Sequence, residues 1–498
     1  MYDVVIRGAR ICDGTGNPWR AGDVALRGDR IAAIGIVSGR ARRVVQGRGL
    51  VVCPGFVDVH THSDGILQHP TATNMLRQGV TTVVSGNCGA SALPIGELLD
   101  KVEASRPALN YATLIGHGTV RAAVMGAAKR KPTRRELAEM RRLFDAAMRE
   151  GAVGMSSGLF YVPGAYAHVG ELVELAKVVA AYGGPYATHK RSAGGKVFEA
   201  LREAATIGKR AGIAIEVSHL KILHRRGRTR QGRVAQVLAT IERYRAQGIE
   251  MTCDVHPYPA TFTGLSSVVI PPWVAKDGRL CERMRDTGVR RRIRAEVAGK
   301  IAWIGGPDKI TIASWAADPS VNGKSLADVA QARRGNATSV AMDLIAEGTP
   351  RCIFHALRPE DVAQIVCHPA VMIASDGGVV GSRKGVVHPR NYGTFPRVYR
   401  EYVRERKTLR IEEVVRKMTS MPARKFGLND RGLIATGMKA DLVLFDPDRI
   451  AERATFERPH SFPVGIHAVL VNGRIAWDGK RASRKRTGAV LRGPRSAG

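Results

Sequence analysis

Acidic side chains are scarce in this 498-residue chain: 44 Asp and Glu stand against 77 Lys and Arg, a formal net charge of +33. Such a surplus draws nucleic acid, anionic membrane or acidic small molecules. The basic clusters "AAKRKPTRRE", "HRRGRTRQGR" and "VRRRIRAE" are not interleaved with aromatics and match no nucleic-acid motif, so no specific nucleic-acid partner is expected. Long apolar runs are also missing. None reaches the roughly 18 residues of a transmembrane helix, and no membrane association is expected. Cysteine is sparse, seven residues without a CxxC pair, which argues for reduced thiols and against a disulfide framework or a zinc ribbon. The opening "MYDVVIRGARI" alternates like a strand and lacks the basic and apolar regions of a signal peptide, so the expected location is cytoplasmic. Aromatics are few, whereas 44% of residues are hydrophobic and glycine is abundant. That balance suits a globular α/β enzyme rather than a disordered chain.

Residues 1–54 read as short strands between Gly and Asp turns, and similar material returns in "GLIATGMKADLVLFDP" and "VGIHAVLVNGRIAWDGK". The expectation is one small β-sandwich domain built from both termini, 1–54 with 431–480. From 55 to 430 short apolar runs alternate with helical patterns, as in parallel β/α architecture. Eight candidate strands stand out: "FVDVHTH", "TTVVSGNCG", "TLIGHG", "VGMSSG", "YATH", "IEVSH", "MTCDVHPY" and "VMIASDGG". Eight such units match a TIM-type (β/α)8 barrel. Residues 261–352 are too many for an ordinary loop and are expected to form an inserted lid subdomain after strand seven. Residues 481–498 are expected to form a basic flexible tail.

The chemistry collects at strand ends. His60 and His62 end strand one, Cys88 strand two, His189 strand five, His219 strand six and Asp376 strand eight. In a barrel these C-terminal ends share one face, where active sites lie. Four imidazoles, a thiol and a carboxylate form the mixed N/S/O donor set that suits zinc. His117, ending strand three in "IGHG", reads as structural or as support for a ligand.

On the stretches "PGFVDVHTHSD", "QGVTTVVSGNCG", "GMSSGLFYVPGAYA", "YATHKR", "SHLK", "ASDGG", "HPRNYGTFPRV" and "KMTSMPARKFGL", the chain resembles the amidohydrolase superfamily, and within it the N-acyl-D-amino-acid deacylase family. The resemblance spans nearly the whole chain. It implies one zinc held tightly by Cys88, His189 and His219, with a second, weak or vacant position at His60, His62 and Asp376. It implies hydrolysis of an N-acyl-D-amino acid, a small-molecule substrate, by a metal-activated water. Asp376 then takes the water proton and returns it to the leaving amine. Tyr161, in "GLFYVPG", is the family's oxyanion donor, and Lys221 and Arg390 are its carboxylate-binding positions. His256, in "DVHPYPA", stands where the family often has a substrate-contacting tyrosine, and Ala193 where it commonly has a glutamate. Both departures bear on side-chain preference. A D-residue dipeptide or a cyclic amide is the alternative substrate. A polyanion binder on a degenerate hydrolase scaffold is the alternative of another class, and the intact six-residue donor set opposes it. No oligomeric state is read from the sequence.

Overall fold

In the computed structural model the described residues are 1–223, 232–274, 279–381 and 385–493. Runs such as Val80–Ser85 and Met251–Val255 carry no polar alternation and are buried along their whole length. That is the signature of strands covered on both faces. Eight such strands pair in parallel: Phe56–Asp58, Val80–Ser85, Asn110–Thr113 (continued by Ile115–Gly116), Met155–Gly158, Tyr186–His189, Ile215–Val217, Met251–Val255 and Val371–Ile373. The ring closes between the last strand and the first. There the Asp376 amide donates to the His60 carbonyl at 2.9 Å, and the His62 amide to the Gly377 carbonyl at 2.6 Å. Closure therefore welds two chemistry-bearing loops together.

Helices cover the barrel as their sequences dictate. Arg134–Glu150 starts at a Thr133/Glu136 capping box, buries Met140, Phe144, Ala147 and Met148, and stops at Gly151 with φ 115°. Satisfied end groups and one apolar stripe fix where it begins, where it ends and which face turns inward.

After strand seven the chain leaves the barrel. Strands Thr261–Gly264, Ile310–Ser314 and Arg351–Phe354 form an antiparallel sheet. Among the described residues, five α-helices between Leu265 and Glu347 pack with it around a separate core that includes Ile293, Val297, Leu326 and Ile345. This segment has a core of its own, and its last strand ends at Phe354.

The two termini build one mixed eight-stranded sheet. Its first strand, Tyr2–Ile11, pairs with Ala41–Gln46 through Tyr2–Arg7 and with Val51–Pro54 through Arg10 and Ile11, and its register shifts between Ile6 and Ala9.

The expectation of a flexible tail is corrected over residues 487–493. The Gly488 amide donates to the Pro107 carbonyl at 3.0 Å, Tyr111 to Ala489 at 2.9 Å, Leu491 to Tyr111 at 2.8 Å and Gly493 to Gly151 at 3.0 Å. Arg492 pairs with Asp100 and Glu103. Basic composition suggested a solvated end, but backbone groups left open beside strand three gave the segment a place to pair. Residues 494–498 of the expected tail lie outside the described residues.

Candidate active site

Cys88 sits at the centre of the strand ends. Its Sγ is 3.5 Å from His60 Nε2, 3.4 Å from His189 Nδ1 and 3.5 Å from His219 Nε2. Bringing a thiol here requires close backbone contact: a Cβ on Gly158 would lie 2.1 Å from the Cys88 carbonyl oxygen. Only glycine fits. The same His60 Nε2 lies 3.6 Å from Asp376 Oδ1, which is also 3.3 Å from His62 Nε2. The six expected donors therefore meet, and His60 stands between the two groups.

The backbone is strained at this point. Among the described residues eight non-glycines have positive φ, and Cys88 (55°), His219 (35°) and Asp376 (48°) are three of them. Such conformations persist only where the surroundings over-determine them, and they gather at functional sites.

The donor set fits a metal. Potential ligand atoms of His60, Cys88 and His219 lie within 4.8 Å of one another, as do those of His60, His62 and Asp376. Tetrahedral zinc with Zn–S about 2.3 Å and Zn–N about 2.0–2.1 Å implies S···N edges of about 3.5 Å, matching the three contacts of the thiol. Burial alone would raise the Cys88 thiol, but the charge of His60 and the hydrogen bonds of His189 and His219 outweigh it and hold the thiol well below its ordinary pKa. Burial lowers His219 and His189, favouring neutral rings able to ligate. Burial would also raise Asp376; the Arg390 charge and the His62 hydrogen bond hold it well below the carboxylate range.

Asp254, on strand seven, was not singled out from the sequence. Its Oδ2 lies 3.2 Å from His60 Nδ1, and its Oδ1 accepts from the His219 amide at 2.8 Å. One carboxylate thus aims His60 Nε2 inward and pins the strained His219 backbone. The signal was a lone acid in the apolar run "MTCDV".

A cavity of about 680 Å³ opens over the centre, lined by His62, Cys88, His189, His219 and Asp376. Tyr161 is on its wall, its hydroxyl 3.3 Å from Thr263 Oγ1 of the insertion and its ring edge-on to His189. Burial raises its pKa, keeping the hydroxyl protonated. Lys221 and Arg390 also line the cavity. Arg390, however, donates to Asp376 Oδ2 at 2.8 Å, a partner that sequence reasoning did not foresee. His256 is not among the lining residues; its Nδ1 accepts from the Tyr258 amide at 3.4 Å and its ring lies 5.7 Å from that of His388. It stands behind the wall rather than on it. His117 pairs with Glu171 at 2.8 Å, alongside buried Arg121, and serves structure. Sequence reasoning also missed the outer wall, where Phe160, Trp303, Ile304 and Phe354 meet. Three of those four come from the insertion or its edge.

Parallel barrel, mixed terminal sheet and a Cys/His/Asp centre at the strand ends define a metal-dependent hydrolase class. The chain belongs to the amidohydrolase family, whose model matches residues 43–231 and 283–476. It is similar to the D-aminoacylase of Alcaligenes xylosoxydans xylosoxydans, 36% identical over 98% of this chain and 97% of that one. Among solved structures, it resembles the N-acyl-D-glutamate deacylase of Bordetella bronchiseptica complexed with zinc and a phosphonate mimic of the tetrahedral intermediate (34% identity, TM-score 0.85, 99% of both chains). It also resembles a D-aminoacylase whose binuclear metal centre shows one-metal activation and second-metal attenuation (33% identity, TM-score 0.85, 99% and 100% of the chains).

Proposed function

We propose that the chain is a zinc-dependent N-acyl-D-amino-acid deacylase, cleaving the amide to a carboxylic acid and a free D-amino acid. The observation that carries this reading is the thiol of Cys88 surrounded by three imidazoles at 3.4–3.5 Å beneath a cavity that also holds an acid and free-carboxylate binders. Cys88, His189 and His219 would hold the tighter zinc, and His60, His62 and Asp376 a second, weaker position. When bound, the metal supplies Lewis acidity, polarising the amide carbonyl and making water acidic near neutral pH.

The chain's own residues supply the rest. Asp376, ionised by its surroundings, accepts the proton of the attacking water and delivers it to the departing nitrogen. The Tyr161 hydroxyl, steadied by Thr263, donates to the oxygen that becomes negative as the carbonyl carbon turns tetrahedral. Lys221 and Arg390 orient the substrate through its carboxylate, which keeps the scissile amide against the centre. An open-chain substrate is favoured over a cyclic amide because these cations provide for a free carboxylate. The test is amine release from paired N-acetyl-D- and N-acetyl-L-amino acids, with zinc supplied or chelated. Cleavage of neither enantiomer by the zinc-loaded protein would refute the proposal, and preference for the L series would refute its stereochemistry.

A further inference from the structure

Part of the active-site wall has a second side. Ala122, Phe160, Tyr161, Val162 and Pro163 line the cavity over the centre, and the same residues line a neighbouring cavity of about 650 Å³. Its far wall belongs to the insertion, where Ser267, Ile270 and Pro272 stand. In a chain of net charge +33, none of the described residues lining this second cavity carries a charged side chain. Phe160 marks the passage. It is 40% exposed, among the described residues one of the few large apolar side chains left so open to water. Its ring stacks on that of His189 at 5.8 Å between centroids, and it borders both cavities. The charged groups keep to one side: Lys221, Arg390 and Asp376 line the first cavity and not the second. An uncharged recess opening off a polar centre favours an alkyl group over water.

We propose that the second cavity takes the acyl chain of the substrate, and that the preferred substrate carries an alkyl acyl group much longer than acetyl. This rests on the deacylase reading, in which Tyr161 donates to the carbonyl oxygen and Lys221 and Arg390 hold the carboxylate. The direction of the substrate then follows. Its amino-acid half runs from the scissile carbonyl toward the two cations. Its acyl half leaves the carbonyl carbon on the Tyr161 side, where Phe160 and Val162 lead into the charge-free space. An alkyl chain there covers Phe160 and takes its own methylenes out of water, a gain of about two- to fourfold in binding for each one buried. An alkyl chain has two sources, the acyl group or the amino-acid side chain, and the experiment separates them.

The experiment follows N-acetyl-, N-butanoyl-, N-hexanoyl- and N-octanoyl-D-alanine on the zinc-loaded enzyme. Their kcat/KM should climb at each step, by about tenfold or more from acetyl to octanoyl, and a flat or falling series would overturn the proposal. An isomeric pair fixes the source: N-octanoyl-D-alanine against N-acetyl-D-2-aminononanoate, equal in atoms and in charge. The first should be the better substrate by about tenfold, and equality or preference for the second would overturn the acyl assignment. Ser267 is exposed and lines the second cavity but not the first. Ser267→Trp, which fills that space, and Ser267→Asp, which charges it, should each bring the octanoyl-to-acetyl ratio toward one. An undiminished ratio in both would overturn the proposal. Calorimetry on the wild-type protein gives an arm independent of turnover and of any variant's folding. Octanoate should bind at least about tenfold more tightly than butyrate, which carries the same charge, and equal affinities would overturn the proposal. Tight octanoate binding, weakened in Ser267→Trp, with none of the substrates cleaved would instead refute the deacylase reading and leave the alkyl site standing.

Discussion

The two ends of the barrel treat buried polar residues in opposite ways. At the N-terminal end, Asp441 accepts from Arg431 at 2.5 Å, from Asn110 at 2.9 Å and from the Asn472 amide at 2.7 Å. Lys425 donates to the Glu250 carbonyl and carboxylate at 3.2 Å. Donors there meet acceptors. At the C-terminal end, three imidazoles crowd a thiol, three ligand-bearing residues adopt positive φ, and the Lys190 amine has no hydrogen-bond partner. Satisfied polar groups hold a fold together, whereas strained and unmatched ones are energy stored for a ligand. The contrast predicts that changes at the mouth cost function with little stability, and changes at the floor cost stability with little function.

The strongest blow at the mouth is Cys88→Ala. It removes the donor shared by three imidazoles, so zinc retention after dialysis should fall by more than the ~10–100-fold typical of losing an outer partner, and turnover should go with it. Metal analysis showing a full zinc complement would break the contrast at its centre. Next is Asp376→Asn. Asparagine tolerates positive φ, so the fold should stand, with some stability lost as the buried Arg390 loses its counter-charge, while kcat drops by roughly 10²–10⁴-fold for want of a proton acceptor. A variant keeping more than about a tenth of wild-type activity would rule out the proton-transfer role. Asp254→Asn should cost less, about 10–100-fold in zinc affinity, because it weakens the aim of His60 and the anchoring of His219 without removing a ligand. A zinc titration indistinguishable from wild type would show that Asp254 does not position them.

The mouth was the more legible end. His60, His62, Cys88, His189, His219 and Asp376 each close a strand in a short distinctive stretch, and parallel β/α order alone sends such ends to one face. Asp254 escaped because its use depends on which residue of strand seven lies beside His219, a matter of register rather than of local pattern. The Arg390–Asp376 pair escaped because no local pattern in the sequence ties residue 390 to residue 376. The docked C-terminal segment was hidden for another reason: its pairing is backbone to backbone, which leaves little trace in side-chain composition.

That segment supplies the smallest and sharpest test of the floor. Ending the chain after Thr487 keeps the hydrogen bonds of Thr487 with Val471 and Asn472 and removes those of residues 488–493. It also removes Leu491, which packs against a cluster containing Val84, Ala112, Leu114 and Met372 from the barrel strands. Each lost backbone bond is worth about 0.5–1.5 kcal/mol net, because water replaces it. Two terms offset the loss: the ordering entropy of the segment is no longer spent, and Arg492 and Arg495 take two positive charges from an already positive molecule. The expected result is a destabilisation of about 1–3 kcal/mol in denaturant, with zinc content and kcat/KM of the folded fraction unchanged. Leu491→Ala alone should reproduce part of the stability loss, since it trims apolar packing and leaves the backbone pairing in place. If kcat/KM instead falls in step with stability, the barrel's ends are coupled through that aliphatic cluster, and floor and mouth are one energetic unit.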